Sequence, residues 1–137
     1  GWWKGRDLHW RQMLNLYPTE TMGQQERSAR IEDRNLLIAT LADLDVIDLA
    51  KAPQQTPAEM NAELSIAVQK YMAIAPSHIQ LIPLEDSLEI VEQVNIPGTI
   101  DEHPNWRQKL PVAMHEFWEE RSVKSIAQAM QKARPKI

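Results

Sequence analysis

A mostly α-helical chain with one short strand is what this sequence predicts, and three observations predict it. Apolar residues recur at three- and four-residue spacing through successive segments. Proline stands at the joints, at Pro18, Pro57, Pro76 and Pro104. Only Ser77–Leu84 is short, rich in branched residues and bounded by proline, as a strand is.

The first helix spans Gly5 to Tyr17, with Leu8, Met13, Leu16 and Tyr17 near helical spacing, and Pro18 stops it. Thr19 or Thr21 caps the next helix, which runs from about Met22 to Leu44. Its buried stripe is Ile31, Leu37, Ile38, Leu41 and Leu44, while Gln24, Gln25, Glu26, Arg27 and Arg30 read as a solvated face. Asp45–Asp48 begins a short element before a loop over Lys51–Thr56. Thr56 and Pro57 then make an N-cap followed by a first-turn proline. That third helix reaches about Ile74, burying Met60, Leu64, Ala67, Val68 and Tyr71.

The strand follows Pro76, and Pro83 fits only at its end. A lone buried strand cannot satisfy its own backbone N–H and C=O groups, so it requires neighbours that this sequence does not obviously supply. Glu85–Ile90 reads as a turn or two of helix, and Val91–Pro104 as a loop. Asn105–Arg121 reads as a helix with Trp106, Leu110, Ala113, Met114, Phe117 and Trp118 inward, kinked or broken at Pro111. Ser122 caps a last helix to about Ala133, with Val123, Ile126, Ala127 and Met130 on one stripe.

At 137 residues the chain is one domain at most, and 43% hydrophobic with 25% charged residues is ordinary for a globular protein. The net charge of −4 and scattered basic residues give no footprint for nucleic acid. No apolar run approaches the ~20 residues of a membrane span, and the start shows no charged-then-apolar signal pattern. The absence of cysteine removes disulfides, thiolate nucleophiles and cysteine-ligated zinc, and fits a reducing compartment. The opening Gly1-Trp2-Trp3 places two large apolar side chains at a terminus, which reads as a cut edge of a longer protein.

Few residues offer chemistry. Asp101, Glu102 and His103 are adjacent, but adjacent side chains diverge and no second His stands four residues on. They read as a loop that starts the next helix, with no metal site. His9, His78 and His115 are isolated. There is no Gly-x-Ser-x-Gly nucleophile and no glycine-rich phosphate loop. Nineteen carboxylates allow many pairs, but retaining glycoside chemistry needs two carboxyls about 5–5.5 Å apart, which a sequence cannot place. Glu85 and Asp86, just after the strand, read as caps of the short helix rather than catalysts. The five Trp are either sugar platforms or core; the helical stripe assigns Trp106 and Trp118 to the core and leaves Trp2 and Trp3 open.

The stretch Val94-Asn95-Ile96-Pro97-Gly98-Thr99 is different in kind. Pro97-Gly98 fits a type II turn with Gly at the positive-φ position. The Asn95 amide combines a donor and an acceptor, which suits sugar hydroxyls. Asn also bonds its own backbone in turns, and the residues alone leave both readings open.

Three segments resemble the 4-alpha-glucanotransferases (amylomaltase, or disproportionating enzyme; glycoside hydrolase family 77). Gly1-Trp2-Trp3-Lys4-Gly5-Arg6-Asp7 is similar to the segment just after that family's Thr-His-Asp motif. Ile82-Pro83-Leu84-Glu85-Asp86 is similar to the end of its last barrel strand. Gln93–Thr99 with Pro104-Asn105-Trp106-Arg107 resembles its closing signature.

The resemblance implies an α/β parent with a (β/α)8 barrel, of which residues 1–137 are the C-terminal segment: helix seven, strand eight over His78–Leu84, helix eight and a C-terminal helix. It implies a cytoplasmic enzyme without metal or cofactor that transfers glucan segments between malto-oligosaccharides by a retaining double displacement. All three catalytic carboxylates are then expected before Gly1, so this segment alone is expected to be inactive. The loop Glu92–Pro104 falls at the catalytic mouth, where such barrels place their sites. Asn95 is the implied sugar contact on the acceptor side, Pro97 and Gly98 shape the loop, and Trp106 and Arg107 anchor it. The implied partners are an α-glucan substrate and the missing N-terminal part, or a second copy covering exposed apolar faces. Two alternatives stand beside this: a self-contained helical interaction module, with Trp2 and Trp3 in its own core, and a small glycan-binding module with aligned exposed Trp.

Overall fold

A computed structural model describes residues 1–47 and 59–134. Among them the chain is helical: α1 (Arg6–Met13), α2 (Glu20–Asp43), α3 (Ala62–Ile74), a short α4 (Leu84–Ser87) and α5 (Arg121–Ala133), with a 3-10 turn at Phe117–Glu119 before α5. No helix among the described residues is long and apolar enough to cross a membrane.

The first two helices form a hairpin. Gly5 turns the chain into α1 at φ +67°, a conformation that suits a residue without Cβ. Past Pro18, the Thr19 hydroxyl accepts the Met22 N–H at 3.3 Å and starts α2. The hairpin is held by polar contacts that correct one expectation, because part of the polar face of α2 packs on α1. Arg30 grips Asp7 through two bonds of 2.9 and 2.7 Å. Glu26 accepts from Arg11 at 2.9 Å and from the Tyr17 hydroxyl at 3.1 Å, and Arg27 reaches Gln12 at 2.9 Å. Of that set only Gln24 and Gln25 are exposed.

Trp3, Leu41, Leu64 and Ala67 make the central core, with Leu37, Ile38, Val68 and Tyr71 packed around it. The expected stripe of α2 is therefore real in its second half, while Ile31 and Leu44 remain exposed. Asn61 caps α3 by accepting the Leu64 N–H at 2.8 Å; the cap expected at Thr56 and Pro57 lies outside the described residues. Met60 precedes the helix rather than lying on its buried face. The α5 helix packs on α3 and on the 3-10 turn, burying Val123, Ile126 and Ala129. Ala129 takes the place expected of Ala127, and neither Ser122 nor Glu120 caps the helix through its side chain.

Two expected elements are not formed. Ser77–Pro83 is not a strand, and no described segment is. It lacks a neighbouring strand to take up its backbone groups, and Ile79 and Leu81 stand 74% and 86% exposed. Asn105–Arg121 is not a helix beyond its last 3-10 turn. Trp106 sits at φ +58°, outside the right-handed helical region, and Pro111 removes a donor a few residues later. Without that helix its inward stripe fails: Phe117 is buried, whereas Trp106, Ala113, Met114 and Trp118 are exposed.

Candidate functional site

The Gln93–Arg107 segment is a loop tied across its own neck. The Val94 carbonyl accepts the Trp106 N–H at 2.9 Å. Beyond it, the Ile96 N–H donates to the Asn105 side-chain oxygen at 2.9 Å. The same Asn105 amide donates to the Thr99 carbonyl at 3.1 Å and to its hydroxyl at 2.8 Å. Thr99 closes the turn by donating its hydroxyl to the Ile96 carbonyl at 2.7 Å. Within the turn Gly98 has φ +86°, the sign expected at the third position of a type II turn. Ile96 is buried beneath it at 3% exposure.

This loop is bolted to α1. The Glu92 carboxylate accepts from Arg6 Nε at 2.6 Å and from the Trp10 indole N–H at 2.7 Å, with the Arg6 guanidinium 4.9 Å over the Trp10 ring. Burial pushes the Glu92 carboxyl up, but the hydrogen bonds from Arg6 and Trp10 and the Arg6 charge outweigh it and hold it below its usual value. Trp10 also meets the His103 ring edge-on at 5.4 Å. His103 is 1% exposed, and its Nε2 lies 2.7 Å from the Gln93 carbonyl, so Nε2 carries the proton. Gln108 donates to the same carbonyl at 2.7 Å.

Two carboxylates here, Glu92 and Glu102, are committed to structure. Glu92 is paired with Arg6, and Glu102 accepts the backbone N–H groups of Ile100 and Asp101 at 2.9 and 3.1 Å. Those backbone bonds, led by Ile100, hold the Glu102 carboxyl below its ordinary value. Glu102 is exposed and His103 buried, so the acidic pair and the imidazole diverge, and no three His, Asp or Glu converge among the described residues. Glu85 and Asp86 lie in the first turn of α4 but do not cap it: Pro83 is the N-cap and no side chain makes a capping hydrogen bond.

Pro97 and Gly98 are exposed at the loop tip, with Asn95 half-buried between the two neck bonds. The Asn95 side-chain amide makes no hydrogen bond to a described residue, its own backbone included.

Sequence reasoning found the turn but missed its clamp. Asn105 read as the first residue of a helix, and nothing local marks it as the side chain that ties the neck. Glu92 lies 86 residues from Arg6 and 82 from Trp10 in sequence, a separation no local pattern reveals.

The sequence model of glycoside hydrolase 77, 4-alpha-glucanotransferase, matches residues 1–115 and so takes in the whole loop and its anchors on α1. The chain is 27% identical over 139 aligned residues to the 4-alpha-glucanotransferase of Mycobacterium bovis (strain ATCC BAA-935 / AF2122/97) and to that of Mycobacterium tuberculosis (strain ATCC 25618 / H37Rv). Each alignment covers 97% of this chain and 18% of the relative, so the chain spans under two-tenths of the length of the curated relatives it matches. With the match running through the clamped loop and the helix that holds it, the chain belongs to the 4-alpha-glucanotransferase family, glycoside hydrolase 77.

Proposed function

We propose that this chain is the C-terminal segment of a 4-alpha-glucanotransferase and that its Gln93–Arg107 loop contacts the acceptor sugar through Asn95. In this reading the whole enzyme moves α-1,4-glucan segments between malto-oligosaccharides with retention. Its (β/α)8 barrel carries the catalytic carboxylates on the preceding part of the polypeptide, and Ser77–Pro83 becomes a barrel strand once neighbours are beside it. The observation that carries the reading is the family match over residues 1–115. The 18% coverage of the relatives supports a segment of a larger enzyme. Exposed Ile79 and Leu81 support a strand that lacks its neighbours. The Asn95 amide, without a hydrogen-bond partner among the described residues and held on a tied loop, supports a sugar-orienting role.

The test is glucose release from maltotriose by the full enzyme, by its Asn95→Ala variant and by the 137-residue chain alone. The full enzyme should release glucose and the chain alone should not. Removing one hydrogen bond to a sugar hydroxyl should lower kcat/KM about tenfold. An Asn95→Ala enzyme at wild-type efficiency removes Asn95 from the site, and release by the isolated chain moves the chemistry onto its own carboxylates.

A self-contained helical module is the second reading, favoured by the enclosure of Trp3 among Leu41, Leu64 and Ala67, while Trp2, which that reading also places in the core, is 43% exposed. It expects no glucose release from any of the three preparations.

A further inference from the structure

We propose that Trp10 of α1 is the positioning residue of the Gln93–Arg107 loop: it holds both arms of the loop at once and so sets where Asn95 stands toward the acceptor sugar. The inference rests on the transferase reading and adds to it a residue that acts through Asn95.

Trp10 meets the loop in two directions. Arg6 and Trp10 are one turn apart on α1, so their side chains share one face of the helix. Glu92, on the arm that enters the loop, turns both carboxylate oxygens to that face. One accepts from Arg6 at 2.6 Å and the other from the Trp10 indole N–H at 2.7 Å. The arm that leaves the loop reaches the same indole through His103, whose ring meets it edge-on, with 5.4 Å between centroids and 71° between planes. His103 is 1% exposed, and its Nε2 lies 2.7 Å from the carbonyl of Gln93, the residue after Glu92. Glu92, Trp10, His103 and Gln93 therefore close a ring of contacts around the base of the loop, and Trp10 is its member on α1. All four lie within residues 1–115 that match the family, so the linkage is complete within this chain.

A side chain that only filled space would make no use of an indole N–H. Here that N–H stands 2.7 Å from a carboxylate, the short geometry of a hydrogen bond to a charged acceptor. Arg6 supplies the countercharge, with its guanidinium 4.9 Å over the same ring, and Trp10 supplies the tie to the second arm. Asn95 follows Glu92 by three residues and stands between the two neck bonds of 2.9 Å, from the Trp106 N–H to the Val94 carbonyl and from the Ile96 N–H to Asn105. A shift at Trp10 is carried to Asn95 along this tied backbone, and a contact misplaced by about 1 Å loses much of its effect.

The test uses the full enzyme with maltotriose as donor and isotope-labelled glucose as acceptor, reading KM for glucose and kcat of label incorporation. Trp10→Phe keeps a ring against His103 and removes the N–H to Glu92. Because Trp10 acts through Asn95, the cost is bounded by loss of the Asn95 contact, so KM for glucose should rise about three- to tenfold, with kcat moved less. Glu92→Ala removes the other end of the bond; it should do the same, and it serves in place of Trp10→Phe if that variant does not fold. Glu92→Gln keeps an oxygen for the indole N–H and should recover most of the affinity. The deciding readout is the double variant. In an Asn95→Ala background, Trp10→Phe should change KM by less than about twofold, because the contact it positions is already gone. A tryptophan that merely stabilised the fold would cost the same in both backgrounds. Unmoved KM in Trp10→Phe and Glu92→Ala, or equal costs in the two backgrounds, overturns this inference and leaves the transferase reading standing. An Asn95→Ala enzyme at wild-type KM overturns the role of Asn95 and this inference with it, and a wild-type enzyme that incorporates no label overturns the transferase reading as well.

Discussion

Asn105 is the side chain on which the loop depends, and Asn105→Ala exposes that dependence. The substitution removes three hydrogen bonds of 2.8, 2.9 and 3.1 Å. The two to Thr99 are the lesser loss, because Thr99 is only half-buried and water can replace them. The bond from Ile96 is different. Ile96 is 3% exposed, so its N–H is left without a partner, and a stranded buried donor costs about 1–3 kcal/mol. Adding a fraction of the Thr99 bonds brings the local loss to about 2–3 kcal/mol, with about 1.4 kcal/mol per factor of ten. The Ile96 amide should then exchange with deuterium roughly 30- to 100-fold faster, read by NMR under native conditions. Asn105→Asp keeps an oxygen for the Ile96 N–H and gives up only the donors to Thr99, so Ile96 should stay largely protected. Unchanged Ile96 exchange in Asn105→Ala, or equal loss of protection in Ala and Asp, would refute the assignment of the neck to this side chain.

Two further predictions test the backbone and the anchor. A Cβ at Gly98 meets no atom within 4 Å, yet its φ is +86°. Gly98→Ala should therefore destabilise by about 1–2 kcal/mol through backbone conformation alone, visible as a Tm several degrees lower, with Gly98→Asn recovering part; an Ala variant as stable as wild type contradicts the turn. Asp7 and Glu92 test the electrostatics. Burial raises both carboxyls, but Arg30 lowers the first, and Arg6 with Trp10 lowers the second, by more. Folded values below unfolded ones mean that the stability from each is complete above the unfolded carboxylate pKa of about 4 and is lost as pH falls through the folded value. Tm should drop between about pH 5 and pH 3, less steeply in an Asp7→Asn, Glu92→Gln double variant; equal slopes would show that these pairs contribute nothing.

What the sequence determined was whatever rests on near neighbours. Pro18 with Thr19 placed the joint between the first two helices, because a missing N–H and a capping hydroxyl act within four residues. The period of Leu64, Ala67, Val68 and Tyr71 located the buried face of α3, and Ile96–Thr99 with Gly98 announced the turn. The motifs at Gly1–Asp7, Ile82–Asp86 and Gln93–Arg107 also carried the family, which the match over residues 1–115 establishes. Local pattern failed where a distant or competing partner decided. Ser77–Leu84 has strand composition, but a strand exists only when another takes its backbone hydrogen bonds. Asn105–Arg121 has a helical stripe, but Asn105 is used by Ile96 and Thr99, Trp106 is turned to positive φ, and the helix does not start. Arg30 looks solvated until Asp7 of the neighbouring helix pairs with it, and Glu92 looks like any loop acid until Arg6 and Trp10 meet it from α1. Those partners are brought together by the packing of the chain, and so the pairing of Asp7, Glu26 and Glu92 became visible only in the tertiary structure.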